Sequence, residues 1–167
     1  MRKVIVVGVT ALAAAALLGH AGTAAPACSK AAAKAAVLAS SLAQRWKDEA
    51  RHKYGPHEGL AKVLCVDFTR DGRTDLAATF ASGGTAGDIA WVAFRRAGTG
   101  WKLALARLRV DHLYLVVRGH DLTETQPVYR RTDPNCCPTG GFDHVQWHWN
   151  EDRFVVARRW HTRRASP

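Results

Sequence analysis

The sequence predicts an α+β domain: an N-terminal helix over 29–54 packed on an antiparallel, meandering sheet of about six to eight strands over 60–160. Three observations carry this expectation. Residues 29–54 are Ala-rich, with neither Pro nor Gly before Gly55. Eight short β-prone runs then follow one another as far as Trp160, separated by turn residues. The gaps between runs leave no room for crossover helices, so neighbouring strands should run antiparallel.

Within the helical segment, Ser29 stands as an N-cap, and Leu38, Leu42 and Trp46 recur every four residues with Ala35 just before them. That spacing makes one apolar stripe, closed by Gly55-Pro56. The strand runs are 61–67, 75–81, 89–96, 101–109, 112–118, 122–130, 142–149 and 153–160. Ala97-Gly98-Thr99-Gly100 and Asn150-Glu151-Asp152 have the composition of hairpin turns.

A chain of 167 residues allows one domain of ordinary size, and an apolar fraction of 47% with six Trp is enough to bury a real core. Disorder of the whole, collagen, coiled coil and multi-span membrane classes are excluded by that composition and by the absence of any fixed period. Ahead of the domain, Arg2 and Lys3 precede an apolar run over 4–18 and then small residues to Ala25-Pro26-Ala27. Basic, apolar and small-residue segments in that order form a secretory signal peptide, expected over 1–27, with the single domain over 28–167. The apolar run, about 15 residues, is shorter than the roughly 20 that span a bilayer.

Cleavage after Ala27 would place Cys28 first, as in a bacterial lipoprotein. Ala25 stands where the lipobox has Leu, however, and Pro26 sits in its middle. Lipidation would also leave three cysteines of the four, an odd thiol. Soluble secretion is therefore expected, with a lipid anchor on Cys28 at the outer face of the membrane as the alternative. Four cysteines in an exported chain make two bridges. A helix over 29–54 runs outward for about 36 Å, and the return through 55–64 brings Cys65 back toward Cys28. The expected pairs are Cys28–Cys65 and Cys136–Cys137, the alternative joining the adjacent cysteines to Cys28 and Cys65.

The chain carries 24 Lys+Arg against 14 Asp+Glu, and removal of Arg2 and Lys3 with the leader leaves 22 against 14, a net charge of +8. Outside a cell such a surface draws anionic partners by long-range attraction. Arg158, Arg159 and Trp160 lie together in an Arg-dense C-terminal stretch and offer charge with a stacking surface. They are the expected binding residues, for an anionic envelope polymer or a protein partner. No specific nucleic acid is expected, and a membrane only through a lipidated Cys28.

One loop has the pattern of a cation site. Asp67, Thr69, Asp71 and Asp75 fall at positions 1, 3, 5 and 9, with Gly72 at 6 and the Arg73 carbonyl at 7. The run resembles the Asp-x-Asn-x-Asp-Gly-x-x-Asp calcium loops of FG-GAP and VCBS-type repeats. Thr69 brings no charge, and Ala78 stands where a Glu would complete an EF-hand-like set. A hairpin turn with Asp71-Gly72 supplying positive φ, and Arg70 and Arg73 neutralising the carboxylates, accounts for the same residues.

Catalytic arrangements are poorly supported. His144 and His148 on a strand would stand about 13 Å apart, too far to share one ion. Asp111-His112, His120-Asp121 and Asp143-His144 are neighbours whose side chains point to opposite faces of a strand. No Gly-x-Ser-x-Gly elbow is present. A secreted hydrolase stays as an alternative, and so does a calcium-dependent binding module.

Asp133-Pro134-Asn135-Cys136-Cys137-Pro138-Thr139-Gly140-Gly141, followed by Val145-Gln146-Trp147-His148-Trp149, resembles the Cys-Cys-Pro-Thr-Gly stretch of the actinobacterial LppP/LprE-type lipoproteins. Those proteins also carry one Cys near the mature N-terminus and one in an early strand, the places of Cys28 and Cys65. The resemblance implies an exported or envelope-associated actinobacterial protein without known enzymatic activity.

Overall fold

A computed structural model describes residues 27–51, 58–134 and 136–164. All but Ala27 of the leader expected over 1–27, the helix end at 52–54 with its Gly55-Pro56 stop, and Asn135 of the cysteine loop lie outside the described residues.

The expected helix over 29–54 is two helices, α1 (Lys30–Ala39) and α2 (Gln44–Arg51). Ser29 caps α1, its side chain accepting from the Ala32 N–H at 3.1 Å. Ser40 ends it by competing with the backbone: its hydroxyl donates to the Val37 carbonyl at 2.7 Å and accepts from the Leu42 N–H at 3.3 Å. This break lets each helix choose its own buried face. In α1 that face is Ala32, Ala33, Ala36 and Val37, while Ala35 is exposed and Leu38 only half-buried, contrary to the expected stripe. Leu42, Trp46 and Ala50 are buried as the continuation.

Seven strands follow in one meander, β1 (Glu58–Val66), β2 (Asp75–Ser82), β3 (Asp88–Ala97), β4 (Gly100–Arg118), β5 (Asp121–Pro127), β6 (Phe142–Asn150) and β7 (Arg153–Thr162). Their spatial order is their sequence order, and every neighbouring pair is antiparallel. The α+β fold of a helical layer preceding a meandering sheet is therefore the one the sequence predicts. The runs 101–109 and 112–118 merge into the single 19-residue β4. Arg109 and His112 there take φ of 62° and 55°. The register against β3 jumps from Leu108 opposite Ala90 to Leu113 opposite Asp88. Such an irregularity bends a strand sharply, so β4 pairs with β3 through one half and with β5 through the other.

That bend divides the sheet into two leaves and creates two cores. Helices α1 and α2 cover one face of the first leaf, where Leu76, Ala78, Phe80, Val92 and Phe94 join Val37 and Trp46. The opposite face of the first leaf packs on the second: Ala77, Trp91 and Ala93 share a cluster with Leu122, Trp147, Trp149 and Phe154. Strand β2 is thus the middle of a sandwich, buried on both faces from Asp75 to Ala81. Cys28, just before α1, is bonded to Cys65 of β1 with the Cα atoms 5.9 Å apart. Among the described residues no helix is long and apolar enough to cross a membrane.

Candidate functional site

Among the described residues the helices pack on the first leaf and not on the outer face of the second, and the register fixes which side chains share that face; Thr123, Thr125 and His144 are buried within it. Tyr114, Thr125, His144 and Trp160 form one row across β4, β5, β6 and β7; Val116, Thr123, Gln146 and Arg158 form the next. Arg118 and Asp121 are paired at the end of the face. The alternation is ordinary strand chemistry: Leu122, Val145, Trp147 and Phe154 point into the core, so the residues between them point out. Tyr114 is 62% exposed.

Trp160 is the best-supported element of this face. Its indole stacks on the His144 ring with centroids 4.8 Å apart and planes at 8°, and the Arg158 guanidinium lies 5.1 Å from its centroid. His144 is clamped from both sides by hydroxyls, Thr125 Oγ1 on Nδ1 and Thr162 Oγ1 on Nε2, each at 2.8 Å. Because the Thr162 hydroxyl donates to the Arg164 carbonyl at 2.7 Å, it must accept from Nε2–H, which leaves Nδ1 to accept from Thr125. Burial lowers the His144 pKa, Asp143 opposes it, and the nearby His161 and Arg118 act with burial. A neutral, fixed imidazole therefore supports the indole.

Asp121 organises the other end. Its carboxylate accepts from Gln146 Nε2 at 2.6 Å and meets His148 Nδ1 at 2.8 Å, with the Arg70 guanidinium at 3.8 Å. Arg158 and Trp160 come together as the sequence suggests. Arg159, opposite Val145, belongs by alternation to the other face of β7.

The 67–75 loop spends its acidic groups internally. Asp67 accepts from the N–H groups of Asp71 at 3.2 Å and Gly72 at 3.0 Å. Asp71 accepts from the Arg73 N–H at 2.9 Å and forms a forked pair with its guanidinium at 3.0 and 2.6 Å. That pairing, chiefly, lowers the Asp71 pKa and raises that of Arg73. Asp75 is fully buried; Oδ2 takes the Thr69 N–H and hydroxyl and Oδ1 takes the Arg96 N–H at 2.7 Å. Gly72 and Arg70, not Asp71, carry the positive φ, at 80° and 60°. Among the described residues no three His, Cys, Asp or Glu side chains converge on a metal-holding position. Arg73 neutralises the loop as the turn interpretation requires, whereas Arg70 leaves it for Asp121.

The loop's filled hydrogen bonds predict that millimolar calcium, compared with chelator, leaves the melting temperature unchanged. A site saturated at about 100 times its Kd would add roughly 2.7 kcal/mol, so a shift of several degrees would show that the carboxylates re-aim toward the ion.

The three described histidines that adjoin an acid in sequence are engaged elsewhere, His112 with Tyr129, His120 with the Asp67 carbonyl and His144 with two threonines, while His148 meets Asp121 and His161 meets Asp143. None of these partners is a serine or cysteine. The acid–imidazole pairs that do form are cross-strand ones, which adjacency in sequence conceals. The alternation of Asp121, Thr123 and Thr125 on β5 against His144, Gln146 and His148 on β6 is the signal that would have found the whole polar face.

The cysteine loop between β5 and β6 is held by Asp133, whose carboxylate accepts from the N–H groups of Arg130 and Thr139 at 2.7 and 2.8 Å and from the Thr139 hydroxyl at 2.7 Å. Those bonds, led by the Thr139 and Arg130 amides, lower its pKa. No family model, curated protein or solved structure matches the chain.

Proposed function

We propose that this chain is an exported, non-enzymatic envelope or extracellular protein that binds an anionic polymer on the outer face of its second leaf. The observation that carries the proposal is the pair of rings at the two ends of one row, the exposed Tyr114 and the half-buried Trp160, with the exposed Arg158 guanidinium against the indole; Thr125 and His144 between them are buried. Flat aromatic surface beside guanidinium groups suits a chain of rings or linkers bearing regularly spaced negative charge. Asp121, the acid of this face, is already paired with His148 and Arg70, so the positive groups set the sign.

The leader over 1–27 and the Cys28–Cys65 bond support an oxidising, extracytoplasmic setting. A Cys28 sulfur bonded to Cys65 has no valence left for a lipid thioether, which favours soluble secretion over anchoring. The likeness of the cysteine loop to the LppP/LprE-type proteins points the same way on compartment.

The test is a titration of the mature chain with heparin as a model anionic polymer, at several salt concentrations. Affinity is expected to fall steeply with salt, because screening weakens such contacts. The double variant Arg158→Ala, Trp160→Ala should weaken binding several-fold, from the lost ion pair with the polymer, ~0.2–1 kcal/mol, together with the lost indole contact surface. Lys30→Ala, on α1, is the control. Equal losses in the control, or salt-independent binding, would overturn this face as the site.

A further inference from the structure

The cysteine loop carries a second, independent function: we propose that Cys136 and Cys137 form a thiol-exchange site, a vicinal disulfide that accepts two electrons from an external dithiol. The ground is the contrast between what holds the loop and what the sulfurs do in it. Val128 closes the neck, its N–H donating to the Gly141 carbonyl and its carbonyl accepting from the Gly140 N–H, both at 2.9 Å. Inside the neck the Asp133 carboxylate joins Arg130 to Thr139 through three hydrogen bonds, and the Cys137 N–H donates to the Pro134 carbonyl at 3.0 Å.

The two glycines that follow are sterically required. A Cβ on Gly140 would fall on the Val128 carbonyl oxygen, and one on Gly141, where φ is 88°, on the Thr162 carbonyl oxygen. The loop is therefore shaped by its backbone, its acid and its glycines, without help from sulfur.

A bond between adjacent residues cannot add much to that. Cross-links stabilise chiefly by closing chain loops, and this one joins residues separated by 1 in sequence, against 37 for Cys28–Cys65. Both residues are exposed and belong to neither core. An exposed disulfide that stabilises little is the labile, exchanging kind, whereas structural ones resist reduction.

In the reaction, one thiolate of the dithiol attacks a sulfur of the pair, the Cys136–Cys137 bond breaks, and a mixed disulfide forms. The second thiol of the dithiol then displaces the protein sulfur. The external dithiol leaves as its disulfide, having lost two electrons and two protons, and Cys136 and Cys137 end as two thiols.

The experiment equilibrates the oxidised mature protein in graded ratios of reduced to oxidised dithiothreitol, traps thiols with iodoacetamide, and reads intact mass and peptide maps. Two carbamidomethyl groups should appear on the peptide holding Cys136 and Cys137 at a reductant ratio at least tenfold lower than opens Cys28–Cys65. The melting temperature of that species should match the oxidised protein within about a degree or two. The variant Cys136→Ser, Cys137→Ser should lose the first reduction step and melt normally. Simultaneous opening of both pairs, alkylation before any reductant, a cross-link between the pairs, or a variant that melts much lower or fails to fold would each overturn the proposal.

Discussion

Replacing Cys28 and Cys65 together by Ser is expected to lower the unfolding free energy by about 3–4 kcal/mol, the loop-closure value for a bond spanning 37 residues. The bond acts where the fold is thinnest. Helix α1 docks through Ala32, Ala33, Ala36 and Val37, side chains that bury little apolar area each, so its hold on the sheet leans on the tether at its start. The bond also fixes β1, an edge strand with a neighbour only in β2. Urea unfolding of the double variant should show a lower midpoint and a larger m-value, since an unlinked unfolded chain exposes more surface. Amides of α1 and α2 should lose exchange protection before those of β2 and β3. A loss below about 1 kcal/mol would mean that the helices dock without the tether.

Trp91→Ala should cost a similar amount, about 3–5 kcal/mol. Trp91 is fully buried on β3, facing the second leaf, with Trp147 and Phe154 edge-on at 6.1 and 6.5 Å. Its indole N–H donates to Glu124 Oε2 at 2.7 Å, and the half-exposed Arg107 adds 3.1 and 3.2 Å contacts to the same carboxylate. Truncation therefore opens a cavity between the leaves and strips one donor from a buried acid. Trp91→Phe separates the two effects: it keeps most of the packing and should cost about 1–3 kcal/mol for the one hydrogen bond lost at the buried carboxylate, which Arg107 still partners. If both variants unfold at the wild-type urea midpoint, the leaves are not packed on this residue.

Glu124 illustrates why part of this design is hidden in the sequence. On β5 it reads as one polar residue of an alternating run, yet it points inward, between Leu122 and the core, because the register assigns Thr123 and Thr125 to the outer face. Its burial is tolerable only because Trp91 and Arg107, on two other strands, supply donors. The same holds at Asp121, whose partners Arg70, Gln146 and His148 come from a loop and a strand far away in sequence. At the 67–75 loop the composition fits both a cation site and a self-satisfied turn. What distinguishes them is the direction of three carboxylates, a property of the folded chain.

What the sequence determined by itself was the succession of elements. Alternation, turn composition and the lack of room for crossovers are local quantities, and they placed the strands and their antiparallel order to within a few residues, except that β4 was read as two runs, 101–109 and 112–118. A second exception was the helix break, where Ser40 satisfies Val37 and Leu42 by short-range bonds that the apolar period does not report. Tertiary structure decided the rest. The bend of β4 at Arg109 and His112 turned one meander into two stacked leaves. It thereby chose which face is core, which is covered by helices, and which is left open with Trp160 and Arg158. The physical reason is that each face of a strand is equally available to the chain until another layer packs against it. Only the competition between layers for apolar area, settled over the whole fold, makes one face the core and the other the surface.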